Sequence, residues 1–190
     1  MTLPLTFATG LPRVVPRLRW LRTALDNAAL ASGNAPLVAG STARWTCNPR
    51  VAVSTPGEGP AAVRGGRYFA AGTARRWGMA ERADDVAVVA SELLTNALRH
   101  AAPADAYARP GNGVRLGLLQ PGPSRLLCAV ADEDPHPPVP VSRDPEDFAE
   151  TGRGLHIIAA LSDDWGYAIL GDAGKVVWAL FSAVQQLGRP

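Results

Sequence analysis

Apolar and polar positions along this chain switch between a helical period and a strand period several times. After Asp84, the residues Val86, Val89, Leu93 and Ala97 recur at spacings of three, four and four, which marks one face of a helix. Asp84 and Asp85 open that helix, where carboxylates complement the positive end of its dipole. Pro60 to Trp77 predicts an earlier helix that stops at Gly78. Thr42 to Cys47 predicts a first strand. Val114 to Leu119 and Arg125 to Ala131 are compact apolar runs around Pro121-Gly122-Pro123, which predicts a hairpin. Leu155 to Leu161 predicts a short helix, Trp165 to Leu170 a strand and Lys175 to Ala183 a last strand. Ala102 to Gly113 and Asp134 to Thr151 are Pro-containing loops, and no internal repeat is present. This order predicts an α/β fold of the α+β two-layer sandwich kind: a mixed, mostly antiparallel sheet with helices on one face.

The start of the chain has a different character. Residues 1–60 hold Arg13, Arg17, Arg19, Arg22, Arg44 and Arg50 against Asp26 and Glu58, whereas the remainder is net acidic. Leu11, Val14, Val15, Leu18, Leu21 and Leu25 follow helical spacing, with Pro16 suited to a first turn. One reading is a basic amphipathic helix suited to a partner or a membrane surface. The other, and the one we expect, is a loosely ordered basic extension over residues 1–40, since termini are commonly so. The domain proper is then residues 41–187.

Composition removes several classes of function. At 190 residues and 47% apolar content the chain can bury one sizeable core. No run of eighteen apolar residues exists, so no membrane span is expected. The start lacks the h-region and cleavage site of a secretory signal. A formal charge of +2 gives no overall nucleic-acid signature. Cys47 and Cys128 are isolated; Cys128 reads as a buried small hydrophobe, and the expected location is cytoplasmic. Lys175 is the one lysine, and no Gly-x-x-x-x-Gly-Lys-Ser/Thr phosphate loop is present. His100, His136 and His156 with two distant cysteines make no hydrolase or metal-site pattern.

Four places carry candidate chemistry. Glu92, Asn96 and His100 follow one another at i,i+4, so they share a face beside the apolar stripe. Alone, such a row reads as the solvated side of an amphipathic helix. Downstream, the run Arg125 to Ala131 ends in Asp132-Glu133-Asp134. Thr151-Gly152-Arg153-Gly154-Leu155 opens an apolar helix, where glycines let backbone N–H groups approach an anion. The last is Gly174-Lys175-Val176-Val177-Trp178-Ala179, a glycine turn entering a strand.

In order and spacing these four pieces resemble the N box and the first, second and third G boxes of the GHKL superfamily of ATP-binding domains, which includes gyrase and the histidine kinases. Arg75-Arg76-Trp77-Gly78 and Asp164-Trp165-Gly166 add to the likeness, which covers about residues 41 to 185. The nearest likeness is to the stand-alone anti-sigma factor and serine-protein kinase branch. The resemblance implies a Bergerat-type fold with ATP and Mg²⁺ as cofactors. It implies that Asn96 supplies the magnesium ligand and Glu92 the general base, with His100 facing the phosphates. Asp132 would accept a hydrogen bond from the adenine amino group. Thr151, Gly152, Arg153, Gly154 and Leu155 would form the phosphate site.

Two departures from the family pattern stand out. Pro135-His136-Pro137-Pro138 follows the aspartate where the superfamily has glycines. Val176 stands where a Thr or Ser generally bridges adenine and the first G-box aspartate, which predicts ATP binding weakened by roughly threefold to tenfold through a lost hydrogen bond. The expected function is a serine/threonine kinase and anti-sigma factor that phosphorylates an anti-sigma-factor antagonist and controls transcription. Its partners would be that antagonist, a sigma factor or both, without direct nucleic-acid binding; a homodimer is left open. The alternative is a non-catalytic or weakly nucleotide-binding interaction module of the same fold.

Overall fold

The structure, a computed structural model, describes residues 8–9, 19–31, 50–56, 59–100, 113–138 and 153–183. Its strands are β1 (Ala8–Thr9), β2 (Arg50–Ser54), β3 (Arg115–Gly122), β4 (Arg125–Asp132), β5 (Asp164–Ile169) and β6 (Lys175–Ser182). They form one sheet in the order β1-β2-β3-β4-β6-β5, and every pairing among the described residues is antiparallel. Helices α2 (Gly59–Arg76), α3 (Ala83–His100) and α4 (Arg153–Leu161) pack on one face of it. The predicted strand at Thr42 to Cys47 lies outside the described residues. The strand found in that part of the chain is β2, whose five residues gave too short an alternation to be read beforehand.

The central strand β4 explains both layers. Its apolar run has no polar alternation, so both faces must be covered. Leu126, Cys128 and Val130 enter the core under α2, α3 and α4, together with Val86, Val89, Leu93 and Ala97 of the predicted helical stripe. Leu127, Ala129 and Ala131 point the other way. That second face is covered by α1 (Arg19–Ala31), whose Trp20, Leu21, Ala24, Leu25 and Ala28 pack on β4 and β6. Residues 19–31 form a helix whose helical spacing falls on buried positions, because a bare apolar sheet face is there to receive it. Gly117 makes room, since a Cβ there would stand 2.7 Å from the Trp20 ring. The Trp178 indole N–H donates to Asn27 Oδ1 at 3.0 Å and fixes the helix against β6.

Two local devices set the position of α3. Helix α2 ends in a glycine turn in which the Gly78 N–H donates to the Arg75 carbonyl and the Met79 N–H to the Ala74 carbonyl. Gly78 adopts φ +82°, a left-handed conformation that a Cβ would oppose, and the turn drives Met79 into the core. Arg82 then ties the start of α3 to the far side of the domain. Its guanidinium donates to Asp85 at 3.0 Å, to Asp163 at 3.0 Å and to the Leu161 carbonyl at 3.2 Å, and lies over the Phe181 ring.

Candidate functional site

Helix α3 carries the predicted polar row, and its other hydroxyls are already used. Ser91 and Thr95 donate to the carbonyls of Ala87 and Ser91, one turn back. Glu92 and Asn96 are half-buried and make no hydrogen bond or ion pair among the described residues; Arg99, a salt-bridge candidate for Glu92, is not joined to it. Both face the first turn of α4. A Cβ on Gly154 would stand 3.0 Å from Glu92 Oε2 and 3.4 Å from both amide atoms of Asn96. Glycine therefore lets a helix N-terminus come close to a carboxylate and a carboxamide. That combination suits an anion bridged by a hard cation, because the helix start offers N–H groups while Asn96 offers a neutral oxygen.

Other predicted residues of this group take up varied positions. Arg153 is the exposed first residue of α4. The Leu155 side chain is buried in the core with Ile158, so the part of Leu155 left for a ligand is its backbone N–H in the helix's first turn. His100 is the last residue of α3, and its side chain, like Thr151 and Gly152, lies outside the described residues.

The second group sits at the end of β4. Asp132 is only 1% exposed and shares the α3 face of the sheet with Leu126, Cys128 and Val130. Its cross-strand partner is Lys175, itself 5% exposed. Lys175 Nζ donates to Asp132 Oδ1 at 2.9 Å, to Asp134 Oδ2 at 2.9 Å and to the Asp134 carbonyl at 3.1 Å. The Asp134 N–H donates to Asp132 Oδ1 at 2.9 Å. Both contacts to Asp132 fall on its Oδ1; Asp132 Oδ2 has no hydrogen bond among the described residues. Burial pushes the Asp132 carboxyl above the usual carboxylate range, and Lys175 with the Asp134 amide brings it only part of the way back. Burial raises Asp134 as well, but Lys175 and His136 outweigh it and hold its carboxyl well below that range. Asp134 is thus part of the network around Lys175, whereas Glu133 is exposed.

The register overturns the inference drawn from Val176. Val176 pairs with Ala131 and is buried on the α1 face, with Trp178 and Leu180. A hydroxyl at 176 would not point at Asp132; the residue that does is Lys175. Sequence reasoning gave Lys175 no role. The signal was its place one residue before the apolar run, but the pairing of β4 with β6 was needed to use it. Gly174 makes the junction possible: at φ +95° it passes so close to β4 that a Cβ would stand 1.9 Å from the Asp132 carbonyl oxygen.

The two groups lie on the same face of the sheet, without a hydrogen bond or ion pair between them among the described residues. Cys128 lies deep in the core, where burial pushes its thiol up to about 12, so it is a packing residue. No group of three or more His, Cys, Asp or Glu residues among those described is arranged to hold a metal ion by itself. Nor is any helix there long and apolar enough to cross a membrane.

The profile of the histidine kinase-like ATPase domain matches residues 58–181. The match spans more than half of the chain, and the protein belongs to that family. No curated protein matches the sequence. Membership makes this an ATP-binding type of domain.

Proposed function

We propose that the protein is an ATP-dependent serine/threonine kinase and anti-sigma factor whose substrate is a small anti-sigma-factor antagonist. The observation that carries this reading is the convergence of Glu92 Oε2, the Asn96 amide and Gly154 at the N-terminus of α4. Mg·ATP supplies the γ-phosphoryl group to be transferred. The Asn96 amide oxygen would hold the magnesium ion, whose charge would offset that of the phosphates. The first N–H groups of α4 hold the phosphates, and Asp132 Oδ2 accepts a hydrogen bond from the adenine amino group. Glu92 accepts the proton of the attacking Ser or Thr hydroxyl. The hydroxyl oxygen then bonds to the γ-phosphorus as the bond to the β,γ-bridging oxygen breaks, and ADP leaves.

That Glu92 makes no ion pair among the described residues supports that role, because a carboxylate already held in an ion pair would be a poorer proton acceptor. The test is phosphate transfer from labelled ATP to purified candidate antagonists. Glu92→Ala is expected to retain nucleotide binding and lose transfer by at least a hundredfold, within the usual range for general-base removal. Asn96→Ala is expected to lose the magnesium-dependent part of the binding. Transfer that survives both substitutions would rule out these roles. A wild-type protein that binds ATP but phosphorylates no antagonist would instead favour the interaction module.

A further inference from the structure

An ordinary buried carboxylate presents two oxygens, and two parallel acceptors suit guanine, whose N1–H and N2–H lie side by side. Adenine offers one amino group beside a ring acceptor, and a single carboxylate oxygen suits it better. Asp132 is a buried carboxylate with one oxygen taken. Oδ1 carries both the Lys175 ammonium at 2.9 Å and the Asp134 N–H at 2.9 Å, while Oδ2 carries no hydrogen bond among the described residues. Lys175 is itself held in place by the Asp134 carbonyl and carboxylate, so the ammonium is anchored on three oxygens. Gly174 brings its strand against β4 closely enough for this cross-strand contact.

We propose that Lys175 is a positioning residue that sets base selectivity: by occupying Asp132 Oδ1 it fixes the carboxylate so that Oδ2 alone faces the base, which favours adenine over guanine. The proposal rests on Asp132 being the base acceptor, as set out above. It assigns Lys175 no contact with phosphate and no chemistry. The chain's ordinary barrier to guanine would then lie in the pairing of two sheet residues rather than in the shape of the pocket. Removing the ammonium would free Oδ1 in part and let the carboxyl turn.

The experiment is calorimetric titration of Mg·ATP and Mg·GTP into the full-length protein and its Lys175→Met and Lys175→Arg variants. Lys175→Met is expected to lower ATP affinity by about tenfold or more, the scale of a lost charge-assisted hydrogen bond, while GTP is weakened less. Its ATP-to-GTP preference therefore falls. Lys175→Arg is expected to restore most of that preference. A loss caused only by weakened folding would lower both affinities in step and leave their ratio unchanged, which would overturn the proposal. If the wild type binds ATP and all three proteins share one ratio, the nucleotide reading stands and the proposal fails. If the wild type binds neither nucleotide, both fail.

A second readout needs no variant. Lys175 is the only lysine, so acylation of its amine in the wild type can be followed by mass spectrometry, separately from the chain's α-amino group. Mg·ATP is expected to slow that acylation, since the ammonium stays on Asp132 beneath the base. Faster acylation on adding ATP would mean that the base displaces Lys175 from Asp132, and would overturn the proposal.

Discussion

Glycines at 154 and 174 both give up a side chain, for different reasons. At Gly154 the missing Cβ lets the start of α4 approach Glu92 and Asn96 closely, and the neighbouring atoms are the ends of side chains that can move. At Gly174 the obstacle is backbone: the Asp132 carbonyl, with φ at +95° besides. Gly174→Ala is therefore expected to destabilise the fold by more than about 2 kcal/mol, the joint effect of a disfavoured left-handed residue and a steric clash with main chain. Urea unfolding followed by circular dichroism would measure it; a change within about 0.5 kcal/mol, the usual range for surface substitutions, would contradict the close approach. At this scale the sequence was uneven as a guide. Glu92 and Asn96 were legible because helical periodicity alone puts residues four apart on one face. The bond between Asp132 and Lys175 was not, since it joins residues distant in sequence through a register that no local pattern displays. The weight given to Val176 failed for the same reason: a displacement of one position along a strand exchanges the two faces of the sheet.

Among the elements, α3 matters most, because Glu92 and Asn96 ride on it and must meet the start of α4. Arg82 links the start of α3 to the α4–β5 connection through Asp163 and the Leu161 carbonyl. Asp163 continues the link, accepting from the Ser182 N–H on β6. Arg82→Ala is expected to cost about 1–3 kcal/mol, discounted because Asp163 and Asp85 are partly exposed, and to weaken nucleotide binding without removing any proposed ligand contact. Chemical denaturation alongside a nucleotide titration would measure both effects. Unchanged stability would mean that the network does not join these elements energetically. Most elements themselves were readable. Gly78 and the paired aspartates marked where one helix ends and the next begins, and the Pro-Gly-Pro turn marked the hairpin between β3 and β4. Strand β2 was missed, since its pairing with β3 rather than its own five residues defines it.

For the whole molecule, the decisive feature is a sheet that buries both faces. The helices α2, α3 and α4 complete the layer that holds the candidate site, while α1 covers the opposite layer, including Val176 and Trp178. Hydrophobic spacing gave α1 away in part, but an amphipathic stripe does not say which surface it will meet. Trp20→Ala is expected to cost about 3–5 kcal/mol, the range for removing a large buried aromatic, and thermal unfolding would show it as a lowered midpoint. An unchanged midpoint would mean that α1 contributes little to the core. Such a change should leave the contacts of Asp132 with Lys175 formed, because these lie on the other face. The proposed nucleotide would be held at both ends, by Asp132 at the base and by Glu92, Asn96 and the start of α4 at the phosphates. Calorimetric titration of ATP into the full-length protein, with and without Mg²⁺, tests this most directly. Saturable binding at one site per chain that tightens with Mg²⁺ is the predicted result; no binding up to millimolar ATP would contradict it.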